Sequence, residues 1–189
     1  MKLSLLEYLK KEDIENGLLN KNIPYLKQAK QYRSLYVNGE EIGRDKIKNL
    51  DDLKHLTKIQ KLYLTDLNIS SINPLDNLKK LYFLDLSGCN SIKDFSVLTR
   101  LDKLEYLNLK RTNIKDPRII FKLFNLPNLE ELKLDKELVK SMFNFENSKD
   151  NKDKSSLFFA IQFHKNKDLG HIRKINESSD FDEIFLYNN

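Results

Sequence analysis

Leu81-Tyr82-Phe83-Leu84-Asp85-Leu86-Ser87-Gly88-Cys89 and, 23 residues later, Leu104-Glu105-Tyr106-Leu107-Asn108-Leu109-Lys110-Arg111-Thr112 share one pattern. Leucine stands first, fourth and sixth, and a small or sulfur-bearing residue stands ninth. The pattern extends both ways along the chain. Ile59-x-x-Leu62-x-Leu64 precedes it, Leu129-x-x-Leu132-x-Leu134 follows it, and a fainter unit reads Tyr32-x-x-Leu35-x-Val37. The central leucines fall at 35, 62, 84, 107 and 132, with spacings of 27, 22, 23 and 25 residues. Within each unit the leucines alternate with other residues. In a strand this puts leucines on one face and the intervening side chains on the other. Leu53, Leu56, Leu75, Leu78, Leu98, Leu101, Leu123 and Leu126 lead into the strands at three-residue steps, and Ile69, Ile72, Ile92, Phe95 and Ile114 follow them. A single unit cannot bury these side chains alone, whereas stacked units share one core.

The pattern resembles the leucine-rich repeat, whose period is about 20–29 residues. Residues 86–98 and 109–117 are similar to the internalin-like bacterial subclass, and the Lys- and Asn-rich composition fits such a source. The resemblance covers about residues 32–138. It implies an α/β solenoid, a short arc of about five units with a parallel sheet on its concave face. It also implies a protein-binding role.

The ends of a solenoid need caps, since terminal units otherwise expose core. Residues 1–31 read as a helical N-terminal cap. Ser4-x-x-Glu7 is a capping-box pattern, Leu5, Tyr8 and Leu9 form an apolar helical face, Gly17 suits a stop, and Pro24 suits the first turn of a second short helix. Residues 139–156 read as a polar loop, and 157–189 as a β-rich C-terminal cap. In that cap Leu157, Phe159, Ile161 and Phe163 alternate as a strand does, and Ile184, Phe185, Leu186 and Tyr187 supply a second strand.

Composition narrows the function classes. The 189 residues are 40% hydrophobic and 32% charged, with a mean hydropathy of -0.58. No run approaches the roughly 18 apolar residues of a membrane-spanning helix, so no membrane association is expected. In residues 1–7 a single lysine and Glu7 do not make a secretory signal. One cysteine excludes an intramolecular disulfide and fits a reducing, cytoplasmic setting. The net charge of +5 is spread thinly, and only six of the 33 cations are arginine. A nucleic-acid binder concentrates its basic residues, and lysine is a poorer bidentate reader of phosphates and bases. Nucleic acid is therefore not the expected partner.

Little here promises catalysis. Cys89 sits on the small-residue position of its repeat, where a buried structural role is expected; Leu67 and Thr112 hold the equivalent positions. His55 reads as a surface residue. His164 and His171, with Asp168 between them, are the one arrangement that a turn would convert into an acid–base pair or metal site. No H-E-x-x-H, C-x-x-C or phosphate-cradling glycine motif supports them. No catalytic residue, metal ligand or cofactor is expected.

The outward side chains of the strands are more informative. They form three columns: Ser34, Lys61, Phe83, Tyr106, Glu131; Tyr36, Tyr63, Asp85, Asn108, Lys133; and Asn38, Thr65, Ser87, Lys110, Asp135. Four aromatics, Tyr36, Tyr63, Phe83 and Tyr106, fall on four consecutive strands. Aromatic anchors ringed by polar groups are the pattern of a protein-binding hot spot. The expected anchors are therefore Tyr63, Phe83 and Tyr106, with Tyr36 in the same partner-binding patch and Lys61, Asp85, Asn108, Lys110 and Lys133 setting specificity. The leading expectation is a non-enzymatic protein-binding module, of which an immunity-type inhibitor of a toxin is one form. A secreted effector or adaptor is the alternative. A hydrolase or nucleic-acid-binding protein using the C-terminal segment is the third.

Overall fold

The computed structural model describes residues 2–138, apart from 19, 21, 48 and 136, together with residues 184–187. Helix α1 (Leu5–Glu15) opens as its sequence predicts. The Ser4 hydroxyl accepts the Glu7 N–H, and the Glu7 carboxylate accepts the Ser4 N–H, so two otherwise orphaned donors are satisfied. Leu5, Tyr8 and Leu9 are the face it buries. Asn16 closes the helix, and Gly17 follows in the left-handed region at φ 69°. Pro24 stands at the N-cap of the short α2 (Tyr25–Ala29). The two helices are tied together by phenols: the Tyr32 O–H donates to Asp13, and the Tyr25 hydroxyl lies 3.4 Å from that of Tyr32. Burial, then the bond to Asp13, pushes the Tyr32 phenol up to about 12, so it is a neutral donor at neutral pH.

The repeats then build one sheet. Strands β1 (Ser34–Asn38), β2 (Lys61–Thr65), β3 (Phe83–Asp85), β4 (Tyr106–Asn108) and β5 (Glu131–Leu134) lie side by side in chain order, each parallel to the next. The register is the one the repeats require. Leu35, Leu62, Leu84, Leu107 and Leu132 stand opposite one another, and all five are buried. The ladder continues upstream of the strands: Gln60 N–H donates to Arg33, Tyr82 to Gln60, Glu105 to Tyr82 and Glu130 to Glu105. Strand β6 (Ile184–Tyr187) adds to the far edge, antiparallel to β5. The second strand expected in the C-terminal cap therefore extends the sheet. The expected loop at 139–156 and the strand beginning at Leu157 lie outside the described residues.

The chain returns between strands through three 3₁₀ turns, Asp51–His55, Asn73–Asn77 and Ser96–Arg100. The fourth return forms helix α4 (Pro117–Phe124), started by Asp116, whose carboxylate accepts the Arg118 N–H, and by proline in the first turn. Leu53, Leu75, Leu98 and Leu123 on these returns back the strand leucines. The core is thus a wall of aliphatic side chains one repeat thick, with short α3 (Gly39–Ile42) after β1. No helix among the described residues is long and apolar enough to cross a membrane.

One position in the turns after β2, β3 and β4 carries a conformational demand. Asp66, Gly88 and Arg111 each stand two residues beyond the second strand leucine, and their φ values are 54°, 75° and 56°. The left-handed region costs a non-glycine residue about 1–2 kcal/mol. Asp66 is held there by its surroundings. Its carboxylate is buried, 3.6 Å from the Arg44 guanidinium and 3.2 Å from that of Arg111. Arg44 also donates to the Gly88 carbonyl at 2.7 Å, and the Arg111 N–H donates to Asp135. This cluster joins the segments that follow five consecutive strands, β1 to β5. It depends on glycines: a Cβ on Gly88 would lie 2.0 Å from Asp66 Oδ1, and one on Gly39 would lie 1.9 Å from the Asp66 carbonyl oxygen. Gly17, by contrast, has open space around it. Gly17→Ala should carry the left-handed cost alone, about 1–2 kcal/mol. Gly88→Ala should cost at least about 1 kcal/mol more, because it also displaces the Asp66 carboxylate. Urea unfolding of the two variants checks this, and equal losses would show that the cluster adds nothing.

Candidate functional site

The open face of the sheet carries the side chains that alternate with the buried leucines. The parallel register aligns Ser34, Lys61, Phe83, Tyr106 and Glu131 in one row, and Tyr36, Tyr63, Asp85, Asn108 and Lys133 in the next. These are the rows that the sequence predicts. The aromatics cross from the second row to the first between β2 and β3, and they meet as a continuous ladder. Ring centres are 5.9 Å apart from Tyr36 to Tyr63, 4.6 Å from Tyr63 to Phe83 and 4.1 Å from Phe83 to Tyr106. The last pair is stacked, its planes only 3° apart. Strand spacing near 4.8 Å sets these steps.

Exposure grades along the ladder. Tyr36, at the β1 end, is 54% exposed, and its hydroxyl reaches Glu41 at 3.3 Å. Tyr63, Phe83 and Tyr106 are half-buried by one another. Burial raises the Tyr106 phenol above its ordinary range, while Lys133 pulls it the other way. The Lys133 ammonium sits 5.3 Å from the centre of the Tyr106 ring and 3.5 Å from Glu131. Lys61 sits 5.6 Å from the centre of the Tyr82 ring, close enough for a cation–π attraction.

The polar residues at the centre of the face have internal duties. Asp85 accepts the Ser87 N–H at 2.8 Å, and Asn108 accepts the Lys110 N–H at 3.1 Å. Both are side-chain turns of the kind that Asp and Asn favour, and they end β3 and β4 in the same way. The Asn108 amide then donates to Asp85 across the strands at 3.0 Å. Asn108 is only 8% exposed. The structure thus places Asp85 and Asn108 as braces of the face, with Lys61, Lys110 and Lys133 as the cations beside it.

The residues considered for chemistry separate clearly. Cys89 is fully buried, and its thiol donates to the Leu64 carbonyl at 3.0 Å. Burial pushes it up to about 11, so it is a neutral packing group at neutral pH. Thr112, at the equivalent position, donates instead within its own repeat, to the Leu109 carbonyl at 2.7 Å. His55 is half-buried in the first 3₁₀ turn. His164, Asp168 and His171 lie outside the described residues. Sequence reasoning missed Tyr82, which receives Lys61, and the Asp66–Arg44–Arg111 cluster. The second was signalled by the equal offset of Asp66, Gly88 and Arg111 from their leucines.

The stacked rings make a measurable prediction. In a double-mutant cycle with Phe83→Leu and Tyr106→Leu, urea unfolding should give a coupling of about 0.5–1.5 kcal/mol beyond apolar burial. A coupling near zero would mean that the rings are merely adjacent.

Residues 57–100 match the model of a leucine-rich-repeat family in two copies. No curated protein matches the chain. Among solved structures, the chain is similar to internalin C2 of Listeria monocytogenes, with 24% identity over 66% of this chain and 54% of that one, at a TM-score of 0.49. It is similar also to the internalin InlF of Listeria monocytogenes, with 22% identity over 70% of this chain and 50% of that one, at a TM-score of 0.38. The chain spans about half the length of each. Five strands in parallel register with a buried leucine on each give this chain a leucine-rich-repeat fold, and residues 57–100 match two copies of that repeat.

Proposed function

We propose that the chain is a non-enzymatic binding module that holds a protein partner on the open, concave face of its sheet. The observation that carries this is the continuous ladder of four aromatic rings on that face. Large rings held rigidly by a sheet lose little freedom on docking, which favours affinity. Aromatics of this kind are the usual anchors of protein interfaces. Base stacking, the other common use of such rings, fits poorly. Phe83 and Tyr106 already stack on each other at 4.1 Å, which leaves no slot for a base between them. The mixed charge of the face, Lys61, Lys110 and Lys133 against Asp85, Glu131 and Asp135, also lacks the basic stripe that a nucleic acid requires.

The test is capture from native lysate by the wild-type chain beside a Tyr63→Ala, Phe83→Ala, Tyr106→Ala variant whose fold is verified by circular dichroism. Wild type should retain a protein that the variant loses by at least about tenfold. Equal retention would place binding elsewhere on the chain, and no retained protein would count against a binding module.

Within this class we read the protein as a cytoplasmic inhibitor of the immunity type, which neutralises a toxic protein by covering its surface. A free thiol supports that reading. Co-expression with the product of the neighbouring gene should relieve that product's toxicity. Growth arrest that persists would remove the immunity role and favour an adaptor or a delivered effector.

A further inference from the structure

We infer that the occupant of the ladder is an amphipathic α-helix lying across the strands, with an apolar stripe on the rings and a carboxylate placed to meet Lys61. This deepens the binding reading above and rests on it.

Three observations lead there. The first is spacing. The rings run across the strands, at right angles to the usual path of an added strand, in steps of 5.9, 4.6 and 4.1 Å. A helix rises 5.4 Å per turn, so side chains at i, i+3 or i+4, and i+7 meet successive rings nearly one turn to one ring. Three turns span about 16 Å, comparable to the ladder.

The second is backbone satisfaction. The face presents side chains, and the strand backbones bond within the plane of the sheet, where only the outer edge of β1 lacks a paired strand among the described residues. An extended peptide laid there would lose water from its N–H and C=O groups without gaining partners. A helix arrives with its own backbone already bonded.

The third is charge. On this face Asp85 is taken by Ser87 and Asn108, Glu131 by Lys133, and Asp135 by the Arg111 N–H. Lys61 has no carboxylate within ion-pair distance among the described residues; its ammonium rests only over the Tyr82 ring. It stands directly opposite Phe83 in the register and two residues from Tyr63. A half-buried cation beside the anchors thus meets any partner helix at the edge of its apolar stripe. A carboxylate there is attracted, and a lysine there is repelled.

The probe is a display library of helix-forming peptides of about 15 residues, randomised on one face and selected on the full chain. The expected winners carry apolar residues at i, i+3 or i+4, and i+7 with Glu or Asp flanking them. Their binding should fall at least about tenfold on Lys61→Glu, a surface change whose fold is checked by circular dichroism. Selection on the Lys61→Glu chain should replace the flanking acid with Lys or Arg. Winners that are proline-rich or strictly alternating, no winners at all, or helical winners indifferent to Lys61→Glu would each overturn the proposal. Repeating the binding with Phe83→Leu and Tyr106→Leu separates the two readings. Peptides that ignore Lys61 yet need the rings sink only the acidic helix, whereas peptides that ignore the rings sink the concave-face reading itself.

Discussion

Everything in this molecule hangs on the stacking of Leu35, Leu62, Leu84, Leu107 and Leu132 in one buried row. Side chains alternate across a strand, so a slip of one residue would turn every leucine to solvent. The hydrophobic penalty of such a slip, on the order of 1.5–3 kcal/mol per leucine, pins the register at each step. That same register is what sets Tyr63 beside Tyr36, and Phe83 opposite Tyr106. The aromatic face is therefore a by-product of the core: its geometry cannot change while the leucines remain buried.

The turns pass this register from repeat to repeat. Those after β2, β3 and β4 need a left-handed residue at one offset, and the chain fills that offset with Asp66, Gly88 and Arg111. The two non-glycines are not left to bear the strain alone. Asp66 and Arg111 reach each other, Arg44 and Asp135 complete the set, and the glycines beside Asp66 leave room for its backbone and carboxylate. A buried carboxylate is costly unless paired, so the cluster gains specificity by demanding that segments from all five repeats be present together. It stands at one end of the strands, while the aromatic ladder occupies the face between.

The face itself shows a division of labour. Asp85 and Asn108 are consumed in ending β3 and β4 and in bracing each other. The rings support one another, with Lys133 seated on the last of them. What remains open to a partner is mostly apolar, half-buried and rigid. On the proposed reading, such a surface would lose little entropy when covered, and its neighbouring lysines would bear on which partner is accepted more than on how tightly it is held.

The repeats, their five-fold count, the capping box at Ser4 and the side of the sheet on which each strand residue stands were all legible in the sequence. Each follows from a local period or a local hydrogen bond, and local rules can be read along a chain. The four aromatics could be placed on one face for the same reason. The stacking of Phe83 on Tyr106, the withdrawal of Asp85 and Asn108 into mutual bonds, the seat of Lys61 over Tyr82 and the Asp66 cluster were decided by tertiary structure alone. These join residues from different repeats, tens of positions apart. Which of several nearby partners a side chain chooses depends on distances that exist only after the leucines have stacked.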